Sequence, residues 1–127
     1  MIIDHEIQFR VRYQETDAQG RVHHANYLTY FEMGRVEQLR ASGYDYRRLE
    51  AEGTILVVAE ISCKYFAPAQ YDDVLTLKTS TIRTTAARIE HTYVLTRDTE
   101  KLVTGQSTLA CINRDGQLQR IPHWLRT

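Results

Sequence analysis

The spacing of apolar and polar positions changes period twice along the chain. From Glu6 to Tyr13, Ile7, Phe9, Val11 and Tyr13 alternate with Glu6, Gln8, Arg10 and Arg12. A period of two is that of a strand with one wet face. Gln14 to Ala25 is polar and holds Gly20, which permits a tight turn with positive φ. From Tyr27 to about Ser42 the period becomes helical. Leu28, Phe31, Arg35 and Leu39 form one i, i+3, i+4 row, while Tyr27, Tyr30, Met33 and Gly34 fill much of the rest. A helix apolar nearly all round in its first turns is a buried helix. Asn26 is placed to cap it and Gly43 to stop it. Glu32 with Arg35, and Glu37 with Arg40, have the spacing of ion pairs on one helix face.

Tyr44 to Gly53 predicts a short second helix, capped by Asp45 and ended by Gly53. The period then returns to two. Ile55 to Phe66 (ILVVAEISCKYF) opens almost wholly apolar and predicts a long strand in the middle of a sheet, ended by Pro68. Asp73 to Arg83, Ala87 to Thr96 and Lys101 to Asn113 predict three more strands. Their short connections predict an antiparallel meander for the later strands. The tail from Gln117 contains Pro122 and should run extended, with Trp124 pinned to the body. One buried helix and one large antiparallel sheet satisfy each other when the sheet curls around the helix. The prediction is an α+β chain forming a single domain over residues 1–127, with five strands and one long central helix. One helix covers little of such a sheet, so an uncovered face or edge is a candidate surface for self-association.

Composition narrows the function only by exclusion. The 127 residues are 43% hydrophobic and 25% charged, with zero formal net charge. That balance provides no broad electrostatic footprint for nucleic acid or a membrane surface. The N-terminal segment lacks a basic region followed by a long apolar run, and no apolar run reaches membrane-spanning length, so a cytoplasmic protein is expected. Cys63 and Cys111 lie in apolar alternating runs and read as buried thiols.

The candidate chemistry gathers just before the long helix. A helix N-terminus offers unpaired amide donors and partial positive charge. Asp17, in the preceding loop, could act there as base or nucleophile while the amides stabilise an oxyanion. The same position also suits an Asp that merely forms an Asx turn. Glu15 competes for the role but reads as a solvated acid. Of the adjacent His23 and His24, His24 lies closer to the helix start. Neighbouring residues on an extended chain point opposite ways, and no zinc spacing is present, so no metal or cofactor is called for. Serine-hydrolase, phosphate-loop and dinucleotide signatures are missing. Thr84, Thr85 and Arg88 surround a hairpin and could hold phosphates.

Asp17-Ala18-Gln19-Gly20, Val22-His23-His24-Ala25-Asn26-Tyr27-Leu28, Phe31-Glu32 and Arg35 together resemble the signature of the 4-hydroxybenzoyl-CoA thioesterase family of hotdog-fold proteins. Tyr65-Phe66-Ala67-Pro68-Ala69, followed by Asp72-Asp73, resembles a second element of that family. The resemblance implies a sheet curled around a central helix, dimers with continuous sheets that often pair again into tetramers, and metal-free hydrolysis of acyl-CoA thioesters. It places the catalytic acid on Asp17 and the oxyanion donor on the backbone N–H of His24. Substrate-binding roles are expected for His23, Asn26, Tyr27, Thr84, Thr85 and Arg88, in a pocket completed by a second chain. His23 stands where Tyr is usual and Arg21 where a small apolar residue is usual, which opens the acyl group to question. Gly34 stands where Ala is usual, at a cost of about 1 kcal/mol in helix propensity, and leaves room for close approach of another backbone. The substrate would be an acyl-CoA or an acyl-carrier-protein thioester. The competing functions are a hydratase or dehydratase on thioesters, with His24 and Asp17 moving a proton, and a non-catalytic acyl-CoA-binding dimer.

Overall fold

The computed structural model describes residues 2–126. The elements run β1 (His5–Arg10), α1 (Asn26–Ala41), α2 (Tyr46–Ala51), β2 (Ile55–Tyr65), β3 (Val74–Thr84), β4 (Ile89–Arg97), β5 (Glu100–Ile112) and β6 (Leu118–Gln119). All strands join one antiparallel sheet in the order β1-β3-β4-β5-β2, and the two-residue β6 pairs with the end of β5. The sheet has the predicted five long strands, and β6 makes a sixth.

Alternation decides which face meets the helix. Ile89, His91, Tyr93 and Leu95 of β4 are buried, while Glu90, Thr92, Val94 and Thr96 between them are only half-buried. Leu75 and Leu77 of β3, and Val103, Ser107 and Leu109 of β5, share the buried face. On α1, Tyr27, Tyr30, Phe31, Gly34, Arg35, Gln38 and Leu39 are buried, so the helix presents a wide stripe to the sheet. Register irregularities after Val58 in β2 and after Thr81 in β3 bend those strands.

Two glycines seat α1 on the sheet. A Cβ at Gly105 would lie 2.3 Å from Cε2 of Phe31, whose ring stacks on Tyr93 at 4.4 Å. A Cβ at Gly34 would lie 2.4 Å from Oγ1 of Thr79. The neighbours at Gly34 are the side chains of Thr79 and Leu77 on β3, not the backbone expected there. Two apolar clusters result. One holds Tyr27, Tyr30, Phe31, Leu75, Leu77, Tyr93 and Leu95, and the other Leu39, Leu49, Ile89, Leu109, Cys111, Ile121 and Leu125. The register places His91 between Ile89 and Tyr93, and Ser107 between Gly105 and Leu109, so a polar seam separates the clusters.

Several expectations are corrected. β2 is an edge strand, not a central one, and its Val58 and Tyr65 are about half exposed. An apolar run identifies a strand with little polar solvent exposure but does not say what covers it. The meander holds only for β3, β4 and β5, because β2 pairs with β5 and β1 with β3. β1 ends at Arg10, and Tyr13–Glu15 form a 3₁₀ turn with Tyr13 exposed. Asn26 is the first residue of α1 and makes no cap. Glu37 and Arg40 pair, but Arg35 turns inward to Tyr93 and leaves Glu32. Cys63 is only half-buried, and the tail expected to run extended forms a 3₁₀ turn over His123–Leu125. Asp45 caps α2 through Oδ1 and the Arg47 N–H at 2.9 Å, and both cysteines are free thiols. Trp124 is pinned to the body, its ring packed at a tilt against Tyr44 with centroids 4.7 Å apart.

Candidate active site

The loop between β1 and α1 owes its shape to Glu15. This carboxylate is buried and accepts from the Arg12 N–H at 2.8 Å, the Arg12 Nε at 3.0 Å and the Tyr30 hydroxyl at 2.8 Å. Its backbone carbonyl accepts from the Asn26 side chain at 2.8 Å and the His23 N–H at 2.9 Å. Burial alone would raise the Glu15 carboxyl. The Arg12 amide, then Tyr30 and the Arg12 guanidinium, outweigh that and hold it below the usual carboxylate range. Its own burial, and then its contact with Glu15, push the Tyr30 phenol far above its ordinary value. Glu15 is thus a brace, not the solvated acid expected of it. A buried Tyr hydroxyl needs a partner, and the acid before Asp17 was the available signal.

Beyond the brace, the chain turns tightly. Oδ1 of Asp17 accepts from the Gln19 N–H at 2.8 Å, with the Arg21 N–H further off at 3.4 Å, and Gly20 takes φ +81°. Asp17 therefore does form an Asx turn. The turn also aims it into a cavity of about 330 Å³ lined by Gln19, Arg21, Val22, His24, Tyr27 and the Tyr65–Pro68 segment.

The start of α1 borders this cavity. Nδ1 of His23 accepts from the Ala25 N–H at 3.2 Å, and the His23 carbonyl from the Asn26 N–H at 2.9 Å. Among the described residues, no acceptor takes the N–H of His24. The His24 carbonyl is held by the Tyr65 hydroxyl at 2.9 Å, and its ring stacks on His23 at 4.2 Å. The Tyr65 hydroxyl is pushed up to about 12 by desolvation and the neighbouring Cys63. Tyr27 lines the cavity wall, with its hydroxyl accepting from the Ala69 N–H at 3.2 Å.

The structure thus brings together Asp17, His24 and Tyr27. His23 and Asn26 brace the loop and do not line the cavity. Thr84, Thr85 and Arg88 lie at the opposite end of the sheet. There Thr85 Oγ1 accepts from the Ala87 and Arg88 N–H groups at 3.1 Å, and Arg88 faces Glu90 at 3.7 Å. Tyr65 and Phe66 belong to the wall although the sequence marked them only as part of a motif. Among the described residues, no group of three His, Cys, Asp or Glu side chains is placed to hold a metal, and no helix is long and apolar enough to cross a membrane.

The profile of the thioesterase-like superfamily matches residues 11–127, which include every part of this cavity. The chain belongs to that superfamily. It is 33% identical over 115 residues to an acyl-CoA thioesterase of Haemophilus influenzae, covering 88% of this chain and 85% of that one. A probable thioesterase of Bartonella henselae superposes with a TM-score of 0.89 at 36% identity, covering 94% of this chain and 100% of the other. A DHNA-CoA thioesterase of Staphylococcus aureus gives 0.87 at 28% identity, covering 93% and 79%. The chain has the hotdog fold, and with these relatives it is a thioester hydrolase.

Proposed function

We propose that this thioesterase hydrolyses acyl-CoA at the Asp17 cavity. The observation that carries the reading is the pairing of an unclaimed His24 N–H with the Asp17 carboxylate around one cavity. The thioester carbonyl oxygen accepts from the His24 N–H, which strengthens as negative charge develops. Tyr65 and the His23 bonds fix that peptide in place. Asp17 either attacks the carbonyl carbon, giving an acyl-aspartyl anhydride that water then cleaves, or takes a proton from a water that attacks directly. In both courses the C–S bond breaks and the CoA sulfur leaves as a thiolate, which needs little acid assistance. The names of the relatives support acyl-CoA as the substrate, and an acyl-carrier-protein thioester presents the same bond.

A second copy of the chain completes the site in this reading. The free edge of β2 carries unpaired backbone groups and exposed Val58 and Tyr65, a template for another strand. Antiparallel pairing of two β2 edges brings the Ile55 end of one protomer to the Tyr65 end of the other. The hairpin with Thr84, Thr85 and Arg88 lies at the Ile55 end, so the partner delivers those groups to the CoA side of the cavity.

Asp17→Asn keeps size and the Asx turn but removes the carboxylate. Turnover of acyl-CoA should fall by at least about 100-fold, read as thiol release, and unchanged release would overturn the assignment. Absence of new enoyl absorbance separates hydrolysis from dehydration. Single turnover in ¹⁸O water places label in Asp17 only on the anhydride course.

A further inference from the structure

The polar seam beneath α1 ends at a second cavity, on the inner side of the sheet beside the open edge of β2. It has a volume of about 300 Å³ and is lined by Val36, Leu56, Val58 and Leu109, with Arg35 and Tyr46 on its polar wall. Glu32 and Glu50 also line it, and both are exposed. Arg35 is 7% exposed, and among the described residues no carboxylate pairs with it. Its Nη1 donates to the Tyr93 hydroxyl at 3.2 Å, and that hydroxyl lies 2.6 Å from Ser107 Oγ. Its charge also acts on Tyr46 and His91. Two fully enclosed polar atoms in this seam, Oγ1 of Thr79 and Nδ1 of His91, have no hydrogen-bond partner among the described residues.

Such an arrangement departs from the rule for buried charge. A guanidinium out of water is ordinarily paired with an acid and fully hydrogen-bonded. Here its hydrogen bond inside goes to a hydroxyl group, the exposed Glu32 and Glu50 of the cavity wall make no ion pair with it among the described residues, and the aliphatic part of that wall faces it. We infer that this cavity binds the carboxylate of a short aliphatic chain, with Arg35 and Tyr46 holding the carboxylate and Val36, Leu56, Val58 and Leu109 holding the chain. Guanidinium geometry favours a carboxylate over a spherical anion, and the cavity lies at the small end of ligand-site volumes. The carboxylate has two possible sources, the far end of a dicarboxylic acyl group or the free acid that hydrolysis releases. Those assignments, unlike the binding itself, rest on the thioesterase reading.

The test uses hexanoate, with hexanamide as the uncharged control, on the whole chain labelled with ¹⁵N-histidine and ¹⁵N-arginine. Hexanoate should shift the Arg35 side-chain and His91 ring resonances saturably, and hexanamide should not. Arg35→Gln should abolish the His91 response. Tyr46→Phe, which leaves the charge in place, should weaken hexanoate about fivefold, the effect of one lost hydrogen bond. No shift, an equal shift with hexanamide, or an undiminished response in Arg35→Gln overturns the site. A carboxylate delivered to Arg35 by a second copy of the chain gives the first of these results. A KM for adipoyl-CoA below that for hexanoyl-CoA, reversed in Arg35→Gln, assigns the site to the acyl terminus. Inhibition by hexanoate that lowers kcat without raising KM assigns it to the released acid.

Discussion

Two buried charges pack at α1, one from the preceding loop and one from the helix itself, and their surroundings are opposite. Glu15 lies under the first turns of the helix, and every bond its carboxylate makes comes from within the chain. Arg35 lies two turns further on and meets only hydroxyl groups, beside an open cavity. The comparison separates two uses of burial. A charge whose partners are all internal fixes geometry, here the loop that holds Asp17. A charge left short of partners keeps binding capacity for something that arrives later.

Replacing each charge should expose that difference. Glu15→Ala strands the Arg12 N–H and the Tyr30 hydroxyl in the interior. It should cost about 3 kcal/mol in denaturant unfolding and lower kcat with the loop misplaced. Arg35→Met removes a cation that lacks an acid and fills similar space, so stability should stay within about 1 kcal/mol of wild type or rise. A loss at Arg35 as large as that at Glu15 would erase the contrast.

Removing one partner gives a smaller effect. Tyr30→Phe takes away a single bond to Glu15 and leaves the Arg12 bonds, and should cost about 1.5 kcal/mol. The smallest expected effect is that of pH. The Glu15 carboxyl is depressed below its ordinary 4.5 in the folded chain. Its contribution is complete above 4.5 and disappears as pH falls through the lower folded value. Unfolding midpoints measured downward from pH 5 should therefore fall more steeply for wild type than for Glu15→Gln. Parallel curves would show that the brace owes nothing to ionisation.

Periodicity revealed α1, α2 and the long strands because each buries one regular stripe. It placed β2 wrongly because a strand's neighbours are chosen by pairing across long stretches of chain, here from Ile55 with Ile112 to Tyr65 with Val103, which no local pattern encodes. The site was legible where chemistry followed chain order. Asp17 and His24, whose N–H is the free amide, come from one loop just before the helix. Glu15 was misread because its burial depends on Tyr30, one helix away, and on how the 3₁₀ turn folds back. The Arg35 cavity was invisible for a similar reason. The i, i+3 spacing offered Glu32 as a partner, while the fold rotated the guanidinium toward Tyr93 and Ser107 of other strands.

The wall of the Asp17 cavity is fastened late. The N–H groups of Phe66 and Ala67 both donate to the carbonyl of Leu102, and among the described residues β2 pairs only with β5. During synthesis, β2 leaves the ribosome long before the strand that will hold it. The emerging chain carries Asp17, the helix start and an unanchored apolar strand, so its first half is an aggregation risk with no finished cavity. Closure over such a sequence distance is slow compared with the β3–β4 and β4–β5 hairpins. Catalytic competence should consequently arrive with the last long strand rather than build up gradually, and chains cut short before Leu102 should be sticky and inert.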